Sequence, residues 1–141
     1  MTKKIVILAG GYSKERDISL KTGKEVFKAL KKKYKVTLID PKKDLIKKLN
    51  KYNPDVVFNA LHGRFGEDGF IQEILEMQKI KYTHSGVISS FFSIDKEISK
   101  NIFKRNRILT PKSFIYSFKN SPINIKKRFQ TRLVFRLSLN Q

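Results

Sequence analysis

Apolar and polar positions along the chain fall into short blocks that switch between two periods. Lys4 to Ala9, KIVILA, is a compact apolar run rich in Ile and Val and closed by Gly10-Gly11, the pattern of a buried strand. Leu20, Phe27 and Leu30 then recur at near-helical spacing, and Asp17 or Ser19 supplies a short oxygen suited to capping such a helix. YKVTLID (34–40) alternates as a strand does and stops at Pro41. In KDLIKKLNKY, Leu45, Ile46 and Leu49 form one stripe, so a helix is expected to end before Asn53-Pro54. DVVFNAL (55–61) reads as a central strand, FIQEILEMQ (70–78) as a helix and IKYT (80–83) as a short strand. SGVISSFFSIDKEISKNIFKRN reads as one or two helices, and KSFIYSF (112–118) as a last strand after Pro111.

Strands and helices thus alternate. That order predicts an α/β fold, a parallel sheet with helices on both faces. In such sheets ligands bind beyond the carboxyl ends of the strands, where the connections diverge. Two chemically dense stretches fall at those ends: GGYSKERDIS after the first strand and HGRFGEDG after the third.

Composition narrows the picture. A chain of 141 residues suffices for one domain of ordinary size with its own core. It has no cysteine, which excludes disulfides and thiolate metal sites. No apolar run approaches the roughly 18 residues of a membrane span, and the start of the chain is too weakly apolar for a signal peptide, so a soluble cytoplasmic protein is expected. The net charge of +19 raises a nucleic-acid reading. Its distribution argues against it. All 12 acids lie at or before Glu97 among 20 Lys and Arg, whereas residues 98–141 carry 11 basic residues and no acid. The early lysines sit on helix-like faces without interleaved aromatic rings, which describes a solvated surface rather than a base-stacking one.

Chemistry is concentrated in three places. Gly10-Gly11 lets backbone approach a ligand, but Tyr12 to Glu15 lack the third glycine of a dinucleotide fingerprint, so a nicotinamide site is disfavoured. Glu15 and Arg16 have the charges to hold an ammonium and a carboxylate, or else flank a tight turn as solvated charges. In HGRFGEDG, His62 can donate a hydrogen bond or exchange a proton near neutrality, or serve only to end the strand. Glu67 and Asp68 equally suit the first turn of the following helix. SIDKEISK offers Lys96 to a phosphate, or presents a charged helix face. His84 has no partner motif and reads as structural, and two histidines without paired spacing make no zinc site.

Taken together, LAGGYSKERDISLKTG, ALHGRFGEDGFIQEILE, KYTHSGVISS and SIDKEISK resemble, in order and spacing, the N-terminal part of the D-alanine–D-alanine ligases, an ATP-grasp family. The resemblance covers roughly residues 3 to 118. It implies a Rossmann-like N-terminal domain of an enzyme that phosphorylates one D-alanine and joins a second to it, using ATP and Mg2+, for peptidoglycan. By residue it implies that Glu15 holds the ammonium of the first D-alanine with Ser19 beside it. His62, with Gly63, falls near that amino acid's carboxylate, and Lys96 falls against ATP phosphate. It also implies a homodimer through this domain.

The domain plan expected from this is an N-terminal α/β substrate-binding domain over 1–108, the start of a central ATP-grasp domain over 109–118, and a basic tail over 119–141 without the family's pattern. Family members are much longer. Their remaining part supplies a second ATP lysine, the adenine pocket, a serine-bearing loop and the magnesium carboxylates. With no acid after Glu97, a magnesium site in the last third is not expected. A truncated or frameshifted form, inactive alone, is therefore the expectation. The alternatives are a non-catalytic D-amino-acid-binding or protein-binding domain and, less favoured, a basic nucleic-acid-binding module.

Overall fold

The structure, a computed structural model, describes residues 2–113. The chain divides after Leu109, and Met1–Leu109 forms one compact unit. The strand expected over 112–118 and the tail expected over 119–141 lie almost wholly outside the described residues.

In the first unit β1 (Lys4–Leu8), β2 (Lys35–Ile39) and β3 (Val56–Asn59) form a parallel sheet in the order β2-β1-β3. Helices α1 (Arg16–Leu30) and α2 (Leu45–Tyr52) connect them, and α3 (Phe70–Met77), α4 (Val87–Ile94) and α5 (Lys96–Arg105) follow. From the central strand the chain moves one way to β2 and then back across β1 to β3. Connections of one hand that run in opposite directions place their helices on opposite faces.

The side chains of β1 show the result. Val6 and Leu8 pack with Ile39, Leu49, Val57, Ile71 and Leu75 on the α2–α3 side. Ile7 and Ala9 pack with Leu20, Val26, Phe27 and Leu30 of α1 on the other. A strand apolar on both faces needs a helix on each, which is why KIVILA reads as a continuous run. Gly23 lets α1 lie close against the sheet, because a Cβ there would come within 2.4 Å of the Ala9 Cβ. Helix α2 stops where expected: Asn53 turns left-handed, with φ 43°, and donates its amide to Leu49 O before Pro54.

Two local expectations change. Helix α1 begins at Arg16 behind Glu15, with no side-chain cap bond, so neither Asp17 nor Ser19 caps it. Ser19 lies one turn inside, fully buried, with its hydroxyl committed elsewhere. Residues 80–83 form only an isolated parallel bridge, Tyr82 to Val57, rather than a fourth strand. The pairing stops because Thr83 meets the Asn59 amide with its side-chain oxygen, at 3.2 Å, instead of its backbone. His84 then takes φ 113° and turns the chain away.

Candidate functional site

The loops after β1 and β3 meet at the carboxyl end of the sheet, where the connections of the two neighbouring strands part. Each loop is pinned by side chains that satisfy its backbone. In the first, Arg16 forms a 2.6 Å ion pair with Asp40 and donates to Gly11 O at 3.0 Å. Asp40 in turn accepts the amides of Gly11 and Lys42. Ser19 ties this loop to β3, accepting the Gly10 amide at 2.8 Å and donating to Ala60 O at 2.7 Å.

The second loop is held from below and within. Asn59 and Gln72, both buried, donate to Gly66 O at 2.8 and 3.0 Å, and Asn59 accepts the Leu61 amide. Glu67 accepts the Gly63 amide, and Asp68 accepts the amides of Phe65 and Phe70. Phe65 sits at φ 67°, a costly conformation for a side-chain-bearing residue that Asp68 holds in place.

Contact between the loops runs through Gly63. Its φ is +69°, and a Cβ there would lie 2.7 Å from Ser13 Oγ and 3.5 Å from Glu15 Oε1. The Glu15 carboxylate is exposed beside this junction, while its amide donates to Ser13 Oγ. Half-buried His62 lies 3.1 Å from Thr22 Oγ1 through Nε2 and 3.4 Å from Glu67 Oε1 through Nδ1. A groove of about 670 Å³ opens between the loops and α2. Its walls include Gly11, Ser13, Leu45, Leu61, His62 and Phe65, and carbon lines most of it.

Of the residues singled out in the sequence, Glu15, His62 and Gly63 come together at this junction. Ser19 lies beneath it with its one hydrogen already donated to Ala60 O. Lys96 is exposed at the first position of α5 and does not line the groove. The Glu97 and Ile98 amides behind it are taken by Asp95, leaving the Lys96 ammonium as the group there with a charge to offer an anion. Arg16 is not free to hold a carboxylate, because Asp40 holds it. Glu67 and Asp68 act on loop backbone rather than through the helix dipole alone. Asp40, Asn59, Thr22 and Gln72 also hold the two loops and His62 in place. An Asn closing an apolar strand is the one local signal among them.

Burial pushes the Asp40 carboxyl upward, but the Arg16 hydrogen bond, the Gly11 and Lys42 amides and the Arg16 charge outweigh it, so its pKa falls below 3.8. A lowered folded-state pKa stabilises the fold above the unfolded value and loses that contribution as pH drops through the folded value. Asp40→Asn is therefore expected to flatten part of the acid limb of stability below about pH 4, measured by urea melts at stepped pH. Both partners are about one-third exposed, so the effect is roughly 1 kcal/mol or less.

Among the described residues no group of three or more His, Asp or Glu side chains could hold a metal ion, so these residues do not form a magnesium cage. No helix among them is long and apolar enough to cross a membrane.

The family model described as D-ala D-ala ligase N-terminus matches residues 42–85, from just after β2 through α2, β3, the HGRFGEDG loop and α3. The D-alanine–D-alanine ligase of Pelagibacter ubique is 58% identical over 136 residues, covering 96% of this chain and 45% of the relative. That match extends into residues 119–141, set apart above as a basic tail. The Zymomonas mobilis D-alanine–D-alanine ligase is 50% identical over 110 residues, covering 77% of this chain and 34% of the relative. A solved D-alanine–D-alanine ligase from Bacillus anthracis, complexed with ATP, superposes with a TM-score of 0.75 at 34% identity, covering 89% of this chain and 44% of that one. The chain spans less than half the length of these relatives. Over the part they share, sequence and fold agree: the chain belongs to the D-alanine–D-alanine ligase family and corresponds to the N-terminal part of its members.

Proposed function

We propose that this chain supplies the N-terminal, amino-acid-binding part of a D-alanine–D-alanine ligase, which in the cytoplasm joins two D-alanines into the dipeptide used for peptidoglycan. The observation that carries the reading is the junction at Gly63, where an exposed carboxylate on one loop stands beside a histidine-bearing loop. Glu15 would hold the ammonium of the first D-alanine, since a carboxylate is the natural partner of that cation. His62 would face the amino acid's carboxylate, and Gly63 would keep the gap between the loops narrow. Ser19 would act from beneath, fixing the loop that carries Glu15.

ATP supplies the phosphoryl group that activates the first D-alanine's carboxylate. Lys96 is the residue here that would meet its phosphates, as an exposed cation at the start of a helix whose amides are already capped. Magnesium would be held by groups other than the described residues. Pairing of two copies through this domain is also proposed, with Ile88, Phe91 and Phe92 of α4 as exposed apolar contacts.

Calorimetric titration with D-alanine tests the reading. The expected result is weak saturable binding, reduced at least about tenfold, roughly 1.4 kcal/mol, in Glu15→Gln. Binding unchanged by that substitution would remove Glu15 from the site.

A further inference from the structure

Both ring nitrogens of His62 meet protein groups. Nε2 lies 3.1 Å from the Thr22 hydroxyl on α1, and Nδ1 lies 3.4 Å from Glu67 Oε1 in its own loop. Each partner is itself anchored. Thr22 Oγ1 is 3.1 Å from Ile18 O, and the second Glu67 oxygen accepts the Gly63 amide at 3.1 Å. The histidine is thereby held between a helix on one side and the glycine junction on the other.

The two partners differ in what they tolerate. A carboxylate only accepts, so a proton on Nδ1 is favoured over a lone pair facing the Glu67 charge. A hydroxyl both donates and accepts. When Nε2 is bare, Thr22 can give it its hydrogen; when Nε2 carries a proton, Thr22 accepts it and turns its own hydrogen to Ile18 O. In both cases the Nε2 edge stays against α1.

From this geometry we propose that Thr22 and Glu67 are positioning residues for His62: Glu67 selects the Nδ1-protonated form, and Thr22 fixes the plane of the ring. The inference rests on the reading of the His62 loop as a wall of the amino-acid pocket. A ring held in one orientation before the ligand arrives loses less freedom on binding.

The test is the long-range 1H–15N spectrum of the histidine rings in the ligand-free chain, at a pH where the ring carries one proton. The His62 signals are assigned by their loss in His62→Ala. The wild type is expected to show the proton on Nδ1. Glu67→Gln keeps an acceptor for the Gly63 amide but can turn an N–H towards Nδ1, so the proton is expected to move to Nε2. Thr22→Val is expected to average the ring signals, and Thr22→Ser to restore them. Glu67→Gln and Thr22→Val are also expected to weaken D-alanine binding about threefold to tenfold. Ring signals in folded Glu67→Gln and Thr22→Val that match the wild type would overturn the proposal. If the spectra respond as expected but the wild type binds no D-alanine, the positioning stands and the functional reading falls.

Discussion

Ser19→Ala is expected to remove about 2–4 kcal/mol of folding stability, although it deletes a single oxygen. The hydroxyl is fully buried, accepts the Gly10 amide and donates to Ala60 O. Alanine strands both backbone groups away from water. Each orphan costs about 1–3 kcal/mol, more than the net gain of an ordinary hydrogen bond. Against a typical total of about 5–15 kcal/mol, that is a large share. For a unit of this size, the melting temperature should fall by about 10–20 °C. Urea melts read the loss directly, as a lower midpoint with an unchanged slope. A loss under about 0.5 kcal/mol would show that water reaches the two groups.

Gly63→Val is expected to damage stability and binding together. The residue sits at φ +69°, where a β-branched side chain is strained by about 1–3 kcal/mol. Its Cβ would also stand 2.7 Å from Ser13 Oγ. Ser13 can turn aside, but it then gives up the bond that holds the Glu15 amide. The Glu15 carboxylate should shift with it, so D-alanine affinity should drop at least about tenfold, roughly 1.4 kcal/mol. Gly63→Ala combined with Ser13→Ala separates the causes. Removing the hydroxyl relieves the contact while leaving the backbone strain, so any stability the pair recovers over Gly63→Ala alone measures the clash.

Much of this architecture was legible because each strand and helix signals its own burial. KIVILA is apolar on both faces because helices cover both. The Leu45 and Leu49 stripe points α2 at the sheet, and Asn53-Pro54 ends it. The two loops stood out in the sequence because glycines and charges crowd strand ends where nothing in the core requires them. What escaped depends on partners distant in the chain. Ser19 looked like a cap because caps are local, yet its bonds reach Gly10 and Ala60, which only the folded sheet brings near. Arg16 looked free to bind a carboxylate because Asp40 lies at the end of another strand. The pattern of residues 80–83 suggests a strand where only the Tyr82 bridge forms, because apolar alternation does not report that Thr83 replaces a backbone acceptor with its side chain.

Whether the two loops form an amino-acid pocket is read by a 1H–15N amide-correlation titration of the chain with D-alanine, with L-alanine as control. Saturable shifts confined to residues 10–16 and 61–67, and weaker with L-alanine, are the predicted result. No shift at tens of millimolar D-alanine, or shifts centred on α4 and α5 instead, would contradict the assignment of the two loops as walls of an amino-acid pocket.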